Sequence, residues 1–230
     1  MTDKKYQTFI FDLDDTLLDF KSAEQQALQL LFSDLKLKLD EPAKQAFSNF
    51  NQSLWKKLEK KQITREQLFE ERFHTFFKNY YHLEINGNSC SDQYLSYLAY
   101  GHEEVDGARE LLTDLFSAKK QLYLATNGVF KVQIQRLKDA KMAEFFEQVF
   151  VSEKIGSEKP DPEFFKYFFS HSNADPAQTL IVGDSLSSDI LGGINAGIDT
   201  MWFNPERTTN FSQISPSYQI DSLSEVKKFA

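Results

Sequence analysis

Apolar positions change their period twice along this chain. Thr8-Phe9-Ile10-Phe11 is an unbroken β-branched and aromatic run with no polar relief after Thr8. It predicts a strand covered on both faces, as in a parallel sheet packed between helices. The spacing then turns helical. Ala27, Leu28, Leu31, Phe32 and Leu35 mark one helix, and Ala43, Phe47, Phe50, Leu54 and Leu58 a second, with Pro42 suited to its first turn. A third opens on a capping box from Thr64 to Gln67 and carries Leu68, Phe69, Phe73, Phe76, Phe77 and Tyr80. After the Asn86-Gly87-Asn88 breaker, Tyr94, Leu95 and Leu98 mark a fourth.

Beyond Gly107 helices and strands alternate. The predicted helices lie at Ala108 to Phe116, around Val132 to Leu137, from Pro162 through Phe168, and through Ile190 and Ile194. The strands are Leu122 to Ala125, Val149 to Val151, Leu180 to Val182 and Met201 to Phe203. This alternation predicts an α/β fold with a doubly wound parallel sheet. The opening strand must join that sheet, because alone it cannot bury both faces. Residues 1–17 and 105–230 are therefore expected to form the sheet domain. Residues 18–104 are expected to be an inserted helical domain whose aromatic stripes pack as its own core.

The 230 residues are 41% hydrophobic with 22 Phe, ample for a packed interior. Lys and Arg number 26 against 34 Asp and Glu, a net charge of -8, which argues against a general nucleic-acid or anionic-membrane binder. Lys56, Lys57, Lys60 and Lys61 read as a solvated helix face. The single cysteine, Cys90, excludes an internal disulfide and points to a reducing compartment. Its polar neighbours suggest a surface or helix-start thiol. No apolar run approaches spanning length, so a cytoplasmic protein with no membrane partner is expected.

Chemistry enters at the strand ends. Asp12 and Asp14 close the first strand two apart, and like charges that near each other need a cation or a shared proton. The second strand ends in Thr126-Asn127-Gly128, and the fourth runs into Gly183-Asp184-Ser185, with Asp189 shortly after. Lys159 sits in Ser157-Glu158-Lys159-Pro160-Asp161-Pro162, ahead of the fourth strand. Each piece has an ordinary explanation: a turn, an exposed lysine, a helix cap, a first-turn charge. In an open parallel sheet, however, residues beyond the C-terminal strand ends converge on one crevice. Four distant segments would then meet in a single acidic cleft with one lysine.

In Asp12-Leu13-Asp14-Asp15-Thr16, Thr126, Lys159, and Gly183-Asp184 with Asp189, the sequence resembles the haloacid dehalogenase-like hydrolase superfamily. The resemblance implies a Rossmann-like core and an α-helical cap in place of the inserted helices. It implies Mg²⁺ held by Asp12, Asp184 and the main-chain carbonyl of Asp14, steadied by Asp189. Asp12 is then the nucleophile that becomes an aspartyl-phosphate, and Asp14 the general acid and base. Thr126, Asn127 and Lys159 would hold the phosphoryl oxygens. Asp14 argues against a dehalogenase, which lacks an Asp there. The missing membrane helices, and Asp14 where a Thr would stand, argue against a transport ATPase. The intact set argues against a non-enzymatic phosphate binder.

Ala125-Thr126-Asn127-Gly128, Gly183 to Gly197 and Trp202-Phe203-Asn204-Pro205 further resemble the bacterial pyrimidine 5′-nucleotidases. A nucleoside monophosphate is the substrate this implies. Phosphoglycolate or sugar-phosphate phosphatases and β-phosphoglucomutase-like phosphomutases share the same motifs and stay open. So does the oligomeric state, monomer or homodimer.

Overall fold

The structure, a computed structural model, describes residues 4–230. They form two compact units: the chain up to Asp19 with His102–Ala230, and Phe20–Gly101.

The first unit is built on six parallel strands: β1 (Thr8–Phe11), β2 (Gln121–Thr126), β3 (Gln148–Val151), β4 (Thr179–Gly183), β5 (Asp199–Phe203) and β6 (Tyr218–Ile220). Their order is β3-β2-β1-β4-β5-β6. β1 is central, with Phe11 level with Leu124 of β2 on one side and Val182 of β4 on the other. Alternate residues feed two apolar layers, as the pleat requires. Phe9 and Phe11 join Leu122, Leu124, Leu180 and Val182 on one face. Ile10 joins Tyr123, Ala125, Ile181 and the phenylalanines 164, 165 and 168 on the other. The chain thus passes from β1 to β2 on one side and from β3 back to β4 on the other, which opens a crevice at the C-terminal ends of β1 and β4.

Sequence reasoning gave five strands and missed β6. Only Ile220 of its three residues is buried, so the segment lacks the apolar run that identifies a strand. The expected breaks at 17/18 and 104/105 fall within a paired connector of the first unit. There Leu18 bridges to Glu104, and backbone bonds link Val105 to Leu17 (3.0 Å) and Asp19 to Glu103 (2.9 Å).

The second unit comprises α1 (Phe20–Asp34), α2 (Glu41–Glu59), α3 (Arg65–Phe76) and α4 (Gly87–Leu98). Asp40 caps α2 by accepting from the Ala43 N–H, and Thr64 with Gln67 forms the reciprocal box at α3. A π-helical turn, Phe77–Tyr81, extends α3 before His82 turns left-handed. The aromatics pack on one another: Phe47 lies 5.0 Å from Phe73 and 5.2 Å from Phe76, ring to ring, and Phe73 lies 5.3 Å from Tyr94. They are the core of this unit, whereas Tyr80 is exposed. Asn86 caps α4 rather than merely breaking the chain. A Cβ on Gly87 would lie 2.0 Å from the Glu70 carbonyl oxygen, so only glycine lets α3 and α4 approach this closely. Cys90 is buried in the first turn of α4, a helix-start thiol rather than a surface one, because that close packing covers the helix start.

Candidate active site

β1 delivers Asp12 directly. Its N–H still pairs with the Val182 carbonyl of β4 (3.0 Å), so the carboxylate is set by the sheet. The chain then turns sharply. Asp15 adopts φ +56°, which a short polar side chain tolerates, and its N–H bonds the Leu18 carbonyl at 2.8 Å. The buried Thr16 hydroxyl accepts from the Asp184 N–H (3.1 Å), tying the β1 turn to the β4 turn. Trp202 Nε1 donates to the Asp184 carbonyl (2.7 Å) and fixes that turn from the β5 side.

Lys159 lies at the centre, 1% exposed. Its Nζ donates to Asp12 Oδ1 (2.7 Å), Asp189 Oδ1 (2.6 Å) and the Ala125 carbonyl of β2 (2.5 Å). An ammonium has three N–H groups, and all three are engaged. Asn127 holds the lysine from the backbone side, donating to the Lys159 carbonyl and accepting from its N–H, both at 2.9 Å. The other Asp189 oxygen accepts from the Ser185 N–H (3.1 Å). Gly183 leaves room for Asp189, since a Cβ there would stand 2.3 Å from its Oδ2.

Oxygens of Asp12, Asp184 and Asp189 lie within 4.8 Å of one another. Burial pushes the Asp12 carboxyl up to about 8, with Asp189 and Asp14 adding repulsion and Lys159 opposing it. Burial likewise raises Asp184 well above the usual carboxylate range, reinforced by Asp189, Asp12 and Asp15. For Lys159, burial works to lower its value, but the charges of Asp12 and Asp189 prevail and raise it. Three carboxylates thus face one ammonium, and no described residue donates to the Asp184 carboxylate. An excess of hard oxygen donors with unbalanced negative charge is the donor set that Mg²⁺ takes.

Asp14 and Thr126 meet through residues that sequence reasoning missed. Helices α5 (Ala108–Ser117) and α6 (Phe130–Asp139) precede and follow β2, and α6 carries Gln133 and Arg136, both buried. Gln133 Nε2 donates to Asp14 Oδ2 (2.6 Å) and to Thr126 Oγ1 (2.9 Å), and Arg136 pairs with Asp14 Oδ1. Every residue expected at the site from sequence belongs to this one cluster at the strand ends.

Residues 9–203 match the haloacid dehalogenase-like hydrolases. The chain belongs to that family. As a haloacid dehalogenase-like hydrolase it is similar along its length to YfnB of Bacillus subtilis, a protein named only for the family: 41% identity, covering 97% of this chain and 94% of that one. It is 37% identical to the pyrimidine 5′-nucleotidase PynA of Streptococcus pneumoniae, covering 96% and 93%. With the pyrimidine 5′-nucleotidase YjjG of Escherichia coli it shares 30% identity, covering 97% of each. YfnB has been solved bound to magnesium, in a form that reveals interdomain movement. It superposes with a TM-score of 0.92 at 40% identity, covering 97% of both chains. With these relatives, this hydrolase is a phosphatase of the family. No helix among the described residues is long and apolar enough to cross a membrane.

Proposed function

We propose that this phosphatase hydrolyses phosphomonoesters through an aspartyl-phosphate on Asp12, with Mg²⁺, and that pyrimidine nucleoside 5′-monophosphates are its preferred substrates. The observation that carries the reading is the Asp12 carboxylate at the end of β1. Lys159 holds one of its oxygens, and Asp184 and Asp189 stand beside it.

Asp12 attacks phosphorus as the bond from phosphorus to the ester oxygen breaks. Asp14 gives its proton to the departing oxygen, then takes one from the water that attacks the acyl-phosphate. That second displacement breaks the bond between phosphorus and Asp12 and releases inorganic phosphate. Lys159 steadies Asp12 and sets a positive charge beside the incoming phosphoryl group, with Thr126 and Asn127 alongside. Mg²⁺ would be held by Asp12, Asp184 and the Asp14 carbonyl, supplying charge neutralisation for the phosphoryl oxygens. Asp189, which accepts from Lys159 and the Ser185 N–H, would steady that metal and also holds the lysine.

The substrate class rests on PynA and YjjG, nucleotidases by name and similar over nearly the whole chain. Sequence reasoning assigns residues 18–104 as the cap that discriminates substrates. Excluding a two-ring base by steric clash is stringent, whereas telling uracil from thymine rests on one methyl, worth ~1–3 kcal/mol. Sharp pyrimidine-over-purine preference with loose tolerance at the 5-position is the expected outcome. Comparing kcat/KM for dUMP, dTMP, a 5-halogenated dUMP, dAMP, dGMP and phosphoglycolate tests it. Should phosphoglycolate or a hexose phosphate win that comparison, the nucleotidase reading falls. Asp12→Asn must in any case abolish turnover, and wild-type hydrolysis of an aryl phosphate by that variant would overturn the covalent route.

A further inference from the structure

We propose that Gln133 and Arg136 are positioning residues that clamp Asp14 for proton transfer to the leaving oxygen. The inference rests on the reading of Asp14 as proton donor, and the test below separates the two.

The hydrogen bonds leave little freedom at this site. Asp14 is partly exposed and sits at the start of a turn, so its own backbone does not fix its side chain. Gln133 takes one carboxylate oxygen and Arg136 the other, so both ends of the group are held. The orientation of the Gln133 amide follows from Arg136, which only donates and so must face an oxygen. Gln133 Oε1 therefore faces Arg136 Nη1 (3.1 Å) while Nε2 spends its two hydrogens on Asp14 and Thr126. The Thr126 hydroxyl accepts from Gln133 and also from the Gly128 N–H (3.1 Å). Its acceptor capacity is full, so its proton is what it has left to give. Spaced i,i+3, Gln133 and Arg136 share one face of α6 and act as a unit.

Gly128 supplies a separate observation. A Cβ there would lie 2.2 Å from Gln133 Nε2. The glycine of Thr126-Asn127-Gly128 is thus the space that admits the clamp, not merely a turn residue. Stability does not explain the arrangement. Arg136 is fully buried, and such a pair is no more stabilising than well-packed apolar side chains of its volume. It does fix where Asp14 points, on which general acid catalysis depends: misplacement by about 1 Å costs on the order of 10²-fold.

Leaving-group dependence tests this without requiring that every variant fold fully. The bond to p-nitrophenolate breaks without a proton, whereas the 5′-alkoxide of a nucleoside monophosphate needs one. The ratio of kcat/KM on dUMP to that on p-nitrophenyl phosphate therefore reports the acid and cancels losses of folded enzyme. If dUMP proves a poor substrate, the best alkyl phosphate of the panel replaces it, so the nucleotidase reading is not at stake. Gln133→Glu keeps size but faces Asp14 with an acceptor, and Arg136→Met removes the guanidinium. Each is expected to lower the ratio by about 10-fold or more, and Asp14→Asn by more still. Arg136→Lys, which keeps a donor, is expected to recover part of the loss. If Asp14→Asn leaves the ratio unchanged, Asp14 is not the donor. If Asp14→Asn collapses the ratio while Gln133→Glu and Arg136→Met lose both substrates in proportion or neither, the clamp is refuted and the acid stands.

Discussion

Gly183→Ala is the smallest change that should disable the site, because it adds one carbon where Asp189 already sits. The new Cβ would stand 2.3 Å from Asp189 Oδ2, 2.4 Å from Cγ and 2.6 Å from Cβ. Three atoms of a short side chain cannot all move aside while its carboxylate stays on Lys159 at 2.6 Å and on the Ser185 N–H at 3.1 Å. Overpacking alone costs about 1–3 kcal/mol. Breaking a buried ion pair by displacing one partner costs roughly 3–5 kcal/mol, reduced here because Lys159 keeps Asp12 and Ala125. A total near ~4 kcal/mol corresponds to a melting point lower by about 10 °C in a protein of this size. Thermal unfolding followed by circular dichroism, with p-nitrophenyl phosphate hydrolysis on the same sample, measures both effects. Gly156→Ala is the comparison, since nothing lies within 4 Å of its Cβ and only its φ of +80° is violated. That strain alone costs about 1–2 kcal/mol. A Gly183→Ala protein that melts within about 2 °C of the parent and keeps its turnover would show that Asp189 is not locked against β4.

Lys159→Met should cost on the order of 10²-fold or more in turnover and several kcal/mol in stability, roughly 3–5, by leaving Asp12 and Asp189 without their counter-charge; equal turnover of variant and parent would contradict it. Chelation should abolish activity and Mg²⁺ restore it, so full turnover in metal-free buffer removes the metal from the reaction. Glu24→Gln should stabilise the protein at neutral pH. Burial raises the Glu24 carboxyl in the fold, although Ser48, Asn51 and Arg72 oppose it. The folded state therefore binds its proton more tightly than the unfolded one, and this group's contribution falls as pH rises from about 4.3 through the folded value. The neutral amide carries no such slope and still accepts from Asn51, so the advantage should vanish in denaturant titrations below about pH 4. An advantage that persists there would assign it to packing instead.

The sheet was legible because a parallel strand buried on both faces leaves an apolar run, and Thr8 to Phe11 is such a run. The site was legible because topology alone brings strand ends together, and with them the polar residues at those ends. Neither argument reaches α6. Gln133 and Arg136 lie among Val132, Leu137 and other helical positions, and nothing within a helical turn reveals a carboxylate 119 and 122 residues away. The unusual signal was two polar residues three apart on the face that carries the buried positions. β6 escaped for the opposite reason, having almost no apolar face to read. The π-helical turn at Phe77–Tyr81 escaped because a single extra residue in a turn leaves helical spacing nearly unchanged.

The parallel pairing of β1 has a temporal consequence. Thr8 pairs across 113 residues with Gln121, and Asp12 meets its lysine across 147. On a ribosome Asp12 emerges early, well ahead of strands β2 and β4 that flank β1. Contacts of such long range are slow to form, so an incomplete chain carries Asp12 without Lys159 beside it. The cluster of Asp12, Lys159 and Asp184 is complete only once β4 pairs with β1.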